Sequence, residues 1–150
     1  MMAKVIAVNI SEKKGVIKHP IEKGFFKINW GLEGDAHAGN WHRMVSFLGN
    51  ESIDKMRATG IKGLCSGKFA ENITTEGIIL YELPIGTKIK VGEVTFEVTQ
   101  IGKECHNGCE IKKLVGDCVM PREGVFGRVL SEGWIKAGDS IVVVEELQSR

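Results

Sequence analysis

Short runs rich in Val, Ile, Phe and Thr, each soon broken by a glycine, recur along this sequence. Its 19 glycines are dispersed rather than massed in a linker. Apolar, β-branched runs of that length between turn formers fold as strands rather than helices. Val94-Thr-Phe-Glu-Val-Thr-Gln100 is the clearest, alternating apolar and polar side chains as a strand with one buried face does. It follows Val91-Gly92-Glu93, a connection short enough for a hairpin. The same pattern predicts strands over Lys4–Ile10, Gly15–Lys18, Lys88–Val91, Val125–Leu130 and Ser140–Glu145. A helix is predicted after Asn50, a candidate N-cap, with Glu51 at the positive end of the dipole, Ile53 and Met56 on one face and Gly60 as the stop. A second short helix is predicted over Glu110–Leu114. With 150 residues, 43% of them hydrophobic, the chain suits one domain spanning residues 1–150. The predicted architecture is mainly β: a closed or nearly closed β-barrel with one or two short helices, which removes exposed strand edges.

Charge and hydropathy narrow the function classes. The 20 basic and 19 acidic residues leave a net charge of +1, without the concentrated basic face that duplex nucleic acid requires. Charges interrupt every apolar run well short of a membrane span, and the N-terminal apolar run is too short for a signal peptide. A cytoplasmic location is therefore expected, with partners that are neither nucleic acid nor membrane. In a reducing compartment structural disulfides are rare, so of Cys65, Cys105, Cys109 and Cys118 the last three, clustered within fourteen residues, read as metal-binding or reactive rather than paired.

Cys105 has the strongest chemical context. It lies in Ile101-Gly-Lys-Glu-Cys105-His-Asn-Gly-Cys109, where a predicted strand gives way to a turn. Lys103 and His106 favour its thiolate, the form that attacks sulfur or binds a soft metal. Cys109 and Cys118 would then be resolving thiols. The rival reading is a zinc-stabilised, non-catalytic module using Cys105, Cys109 and Cys118, with His106 within the set. Cys65, isolated in Gly63-Leu-Cys-Ser-Gly67, reads as structural.

Three further segments carry candidate binding groups. Gly31-Leu-Glu-Gly34-Asp35-Ala-His37-Ala-Gly39 places Asp35 and His37 two residues apart, able to share one side of an extended segment. Its plainer reading is a glycine-rich turn in which Asp35 caps its own backbone. Asn72 can donate and accept hydrogen bonds, and Arg122 and Arg128 are candidate oxyanion clamps. Alternation along β-structure puts Phe126 and Arg128 on one strand face, opposite Val125, Gly127 and Val129.

Taken together, these segments resemble the MOSC family, named after the C-terminal part of molybdenum cofactor sulfurase. The matching segments are Gly34-Asp35-Ala-His37-Ala-Gly39, Glu71-Asn72-Ile73-Thr74 with Gly77, Ile101-Gly-Lys-Glu-Cys105, and Val125-Phe-Gly-Arg128 through Gly138-Asp139. They stand in the family's order across roughly residues 31 to 144. Glu104 occupies a position where many relatives have proline, and Cys109 and Cys118 are additional. The resemblance implies a mainly β, barrel-like domain of the short stand-alone bacterial type. It implies a sulfur-carrier or cofactor-binding role in molybdenum cofactor (molybdopterin) maturation, a sulfur transferase step if the domain is an enzyme. Cys105 would carry a persulfide or ligate the metal, assisted by Lys103 and His106. Asp35, His37, Asn72 and Arg128 would line the cofactor site. The implied partners are a cysteine desulfurase, pyridoxal phosphate-dependent, or another sulfur donor, and the cofactor or a molybdoenzyme as acceptor. The chain shows no pyridoxal phosphate site of its own. A small molybdenum-dependent reductase component is a further alternative.

Overall fold

The computed structural model describes residues 3–13, 16–58, 69–102 and 123–145. In chain order these form β1 (Lys4–Ile10), β2 (His19–Ile21), β3 (Lys23–Lys27), β4 (Gly31–Leu32), β5 (Val45–Gly49), α1 (Asn50–Arg57) and β6 (Ile73–Glu76). A single 3-10 turn at Leu80–Glu82 leads to β7 (Lys88–Val91), β8 (Val94–Ile101), β9 (Val125–Ser131), β10 (Gly133–Lys136) and β11 (Ile141–Glu145). The fold is mainly β with one α-helix among the described residues. The second helix predicted over Glu110–Leu114 lies outside them.

Eight strands form one sheet in the order β11-β7-β8-β9-β5-β6-β1-β2, and β10-β3-β4 form a smaller one. Among the described residues the larger sheet is not closed into a barrel; of the closed or nearly closed barrel expected, its two ends show a near approach. β1 gives Val8–Ile10 to β2, so only its first residues remain for β11. There the contact is an isolated bridge, Lys4 to Ser140, flanked by backbone hydrogen bonds between Val5 and Asp139 and between Ile141 and Ala3.

The alternating strand at β8 appears as predicted, with Val94, Phe96 and Val98 buried. Its ladder with β9 is interrupted by two register shifts. By contrast, β5 is buried throughout Val45–Leu48 and pairs parallel to β6. Strands buried on both faces lose the period-two signature, and parallel neighbours need a crossover, supplied partly by α1. Helix α1 begins one residue earlier in role than expected: Gly49 is the N-cap, with no side-chain cap, and Asn50 is already helical. Ile53 and Met56 face inward as predicted. No strand forms over Val16–Lys18; β2 starts at His19, and Lys18 instead turns its side chain into the protein.

The main core fills one side of the large sheet. Phe47 and Phe26 both meet Phe96 edge-on, with centroids 5.0 and 5.8 Å away, a geometry that adds to the apolar burial. Val45, Phe47, Val125 and Val129 point into this core, so Ser46 and Phe126 lie on the opposite face. That second face is also largely buried, but it is polar, and it carries the candidate residue Arg128.

Candidate functional site

Asp35, His37 and Asn72 come together on the second face, assembled around a residue that sequence reasoning missed. Lys18 is wholly buried, and its Nζ donates to Asp35 Oδ1 at 2.7 Å and to Ser11 Oγ at 2.9 Å. Its third neighbour is His37 Nδ1, at 3.3 Å. Asp35 is equally buried and accepts from the Ser11 amide at 3.1 Å through Oδ1. Its Oδ2 accepts the His37 amide at 3.1 Å. Asp35 therefore does cap its own turn, two residues on, while also anchoring the lysine. Burial alone would raise the Asp35 carboxyl, but the Lys18 hydrogen bond and charge outweigh it. With help from the Ser11 amide and the Asn72 side chain, they hold it below the usual carboxylate range. No signal in the sequence marks Lys18, because the ion pair exists only once the chain has folded back on the Asp35 loop.

Asn72 stands just before β6 and fastens β5 to β1. Its Oδ1 accepts the Ser46 amide at 3.0 Å, while its own N–H and C=O bond the Ser46 carbonyl and the Asn9 amide. Its Nδ2 donates to the Asn9 carbonyl at 3.3 Å. Neighbouring Glu71 is fully buried and accepts from Thr74 Oγ1 at 2.6 Å. Just before it, Ala70 holds φ +64°, a left-handed conformation uncommon for a residue with a side chain. Asn72 and Asp35 thus have their acceptor atoms engaged within the protein, as organisers of the site's frame.

The exposed side of this frame is aromatic and cationic. Ser46 and Phe126 are cross-strand partners, which sets the Phe126 ring beside the polar layer. The Arg43 guanidinium lies 5.7 Å from that ring and 5.9 Å from the Trp41 ring, and its Nε donates to Gln100 Oε1 at 3.2 Å. Trp41 Nε1 in turn donates to the His37 carbonyl at 2.9 Å. Gln100 Nε2 donates to the Gly102 carbonyl, and the Gly102 amide bonds the Gly124 carbonyl. The chain entering and leaving the cysteine-bearing segment is therefore tied down beside Arg43. Arg128 projects from β9 on the Phe126 face, and its Nε is buried without a hydrogen-bond partner. Trp41-His42-Arg43, an aromatic–basic cluster just after a glycine-rich turn, was the one sequence signal for Arg43 that could have been read.

Lys103, Cys105, His106, Cys109, Cys118, Cys65 and Arg122 lie outside the described residues, so the structure places neither the reactive-thiol arrangement nor the zinc set. Among the described residues, no group of three or more His, Cys, Asp and Glu side chains is disposed to hold a metal ion. Among them too, no helix is long and apolar enough to cross a membrane.

The fold recurs in solved structures. YuaD protein from Bacillus subtilis superposes with a TM-score of 0.77 at 18% identity, covering 94% of each chain. YiiM from Geobacillus stearothermophilus matches at 0.75 and 19% identity, over 95% of this chain and 75% of that one. YiiM from Escherichia coli gives 0.72 and 17%, over 99% and 72%. These likenesses speak to fold. No curated protein matches the sequence. The family model of the MOSC domain, however, matches residues 34–142, from the glycine before Asp35 into the last strand, and the chain accordingly belongs to the MOSC domain family, related to the C-terminal domain of molybdenum cofactor sulfurase.

Proposed function

We propose that this domain handles sulfur or the molybdenum cofactor during cofactor maturation, with Cys105 as the sulfur-bearing or metal-binding group. The observation that carries the reading is the Arg128 Nε, buried and unpartnered on the same strand face as Phe126. An unmet buried donor costs about 1–3 kcal/mol, and a bound oxyanion would satisfy it. Arg43 supports the same reading, because two rings and Gln100 hold its guanidinium in place and so reduce the entropy lost on binding. A pterin bearing a phosphate fits such a site: a ring system can lie against an aromatic face, and a dianion can meet guanidinium N–H groups. When bound, that cofactor supplies a dithiolene-held metal. Arg43 and Arg128 would hold its anionic part, and the Asp35–Lys18–His37 and Asn72 framework would fix the wall behind it.

The sulfur step falls to Cys105, three residues beyond the anchored Gly102. Its thiolate would attack the terminal sulfur of a donor persulfide, such as one formed on a cysteine desulfurase. One sulfur–sulfur bond forms, the donor's breaks, and the donor leaves as a thiolate. An acceptor nucleophile on the cofactor or a molybdoenzyme would take the terminal sulfur in the same way and return Cys105 as a thiolate. Mass-resolved alkylation with limiting reagent should label Cys105 first. Incubation with a persulfide donor should then add one sulfur to the wild-type chain and none to Cys105→Ser. Prior labelling of Cys65 or Cys118, or equal sulfur uptake by Cys105→Ser, would remove Cys105 from this role.

A further inference from the structure

We infer that Gln100 is a positioning residue that couples the Arg43 guanidinium to the strand end from which the cysteine-bearing segment departs. Its carboxamide bonds in two directions. Oε1 accepts from Arg43 Nε at 3.2 Å, and Nε2 donates to the Gly102 carbonyl at 2.8 Å. The amide cannot be turned the other way: a guanidinium has no acceptor and a carbonyl has no proton, so reversal would break both bonds at once. The Gly102 amide in turn donates to the Gly124 carbonyl at 2.7 Å, which pins the chain to itself where it leaves β8 and where it enters β9.

A β-bulge aims Gln100 at Arg43. Phe96 and Val98 point into the core, and plain alternation would send residue 100 after them. The β8–β9 ladder instead slips between Val98 and Gln100. Val98 stands opposite Gly127 and Gln100 opposite Phe126, with Thr99 as the extra residue. The slip moves Gln100 to the Phe126 face, where the Arg43 guanidinium lies. Thr99 is used as well: its hydroxyl donates to the His42 carbonyl and so fixes the backbone next to Arg43.

Among the described residues Arg43 spends only Nε on a hydrogen bond, which leaves its two Nη groups for a ligand. An oxyanion on those groups would confine the guanidinium, keep Gln100 Oε1 engaged for more of the time, and so steady the donor that holds the Gly102 carbonyl. Linkage makes the effect reciprocal: the factor by which an anion steadies this strand end is the factor by which a steady strand end tightens the anion. Cys105 follows Gly102 by three residues, so oxyanion occupancy at Arg43 becomes a signal delivered at the root of the cysteine-bearing segment. The inference deepens the proposed function and rests on it for the ligand and for Cys105, whereas the coupling of Arg43 to Gly102 rests on the two carboxamide bonds.

Amide hydrogen exchange at Gly102 in the free protein reads the coupling through a double-mutant cycle. Gln100→Met should lower Gly102 protection roughly twofold to tenfold, the worth of one hydrogen bond. Arg43 bonds Gln100 and not Gly102, so Arg43→Met should lower that protection when Gln100 is present and have no further effect in Gln100→Met. Gln100→Glu separates the two arms. It still accepts from Arg43, so the Arg43 Nε–H signal stays protected, but it has no proton for the Gly102 carbonyl, so that amide loses protection as in Gln100→Met. Saturating inorganic phosphate should raise Gly102 protection in the wild type and leave it unchanged in Gln100→Met. Equal effects of Arg43→Met with and without Gln100, or full Gly102 protection in Gln100→Glu, would overturn the inference. So would phosphate binding that leaves wild-type Gly102 protection unchanged. A non-additive cycle in a protein that binds no phosphate would instead uphold the coupling and remove the oxyanion site from the proposed function.

Discussion

Lys18→Met removes the charge at the centre of the site while keeping most of the side chain's length and apolar stem. Both members of the Lys18–Asp35 pair are 0% exposed, so screening by solvent does not soften the loss. Breaking a buried pair by deleting one partner costs about 3–5 kcal/mol, because the other charge stays behind uncompensated. Here the carboxylate retains two backbone donors, the Ser11 and His37 amides, each at 3.1 Å. That places the expected loss at the lower end, roughly 3 kcal/mol. For a domain of this size each kcal/mol lowers Tm by roughly 2–4 °C, so a fall of roughly 6–12 °C is expected. Urea unfolding should show a lower midpoint with an unchanged slope, since the surface exposed on unfolding is the same. Adding Asp35→Asn to Lys18→Met should recover part of the loss, with a coupling on the order of 1–3 kcal/mol in the double-mutant cycle. A loss below about 1 kcal/mol, the range of an exposed pair, would show that water reaches these charges and would refute the reasoning.

Three further outcomes are expected. Arg43→Ala should weaken binding of a phosphorylated pterin analogue roughly tenfold to hundredfold, the value of one charge-assisted hydrogen bond, with Arg128→Ala acting similarly; calorimetric titration reads both, and unchanged affinities would take these residues out of the site. Acidification should remove a stabilising contribution from Asp35: its folded pKa lies below the ordinary carboxylate value of 3.8, so the contribution is complete above about pH 4 and is lost as pH falls through the folded value. Denaturant titrations across pH 2–6 should accordingly show a shallower acid slope in Asp35→Asn. Gly31→Ala should destabilise by more than about 1 kcal/mol in urea unfolding, because Gly31 holds φ +104° and an added Cβ would sit 2.6 Å from the Met44 carbonyl oxygen.

What could be read from the sequence divides along physical lines. Strands with one wet or polar face declared themselves by alternation, as at β8 and β9, and the Phe126–Arg128 pairing on one face followed from the same rule. β5 did not, because Val45–Leu48 are buried on both faces and present only a short apolar run. β2, β3, β4 and β10 are two to five residues long, and each carries a residue that breaks the strand pattern: Pro20, Gly24, Gly31 and Gly133. Asp35 and His37 were visible as candidates because turn geometry and chemistry coincide within three residues. Lys18 was not: it is 17 residues from Asp35, and nothing local distinguishes a lysine that will be buried from one that will be solvated. Strand count likewise says nothing about which edge β1 will spend on β2, and so could not tell a closed barrel from a nearly closed one.

The second face of the sheet differs from the first in how it is stabilised, and that difference bears on function. Core residues such as Phe47 and Phe96 tolerate small shifts at the cost of packing. A layer such as Asn9, Ser46, Asn72 and Thr74 is held by directional bonds, with Asn9 Nδ2 donating both to the Glu71 carbonyl and to Thr74 Oγ1. Directional networks hold one geometry, and any member left unmet is expensive. Across the described residues, only three buried side-chain atoms lack a partner: Asn9 Oδ1, Thr75 Oγ1 and Arg128 Nε. The first two belong to neutral side chains, whose unmet acceptors and hydroxyls cost least. Arg128 is charged, and its unmet donor sits on the strand face where a second guanidinium is already held over Phe126. Of the three atoms left open among the described residues, only Arg128 Nε is a charged donor, and it stands where an anion can use it.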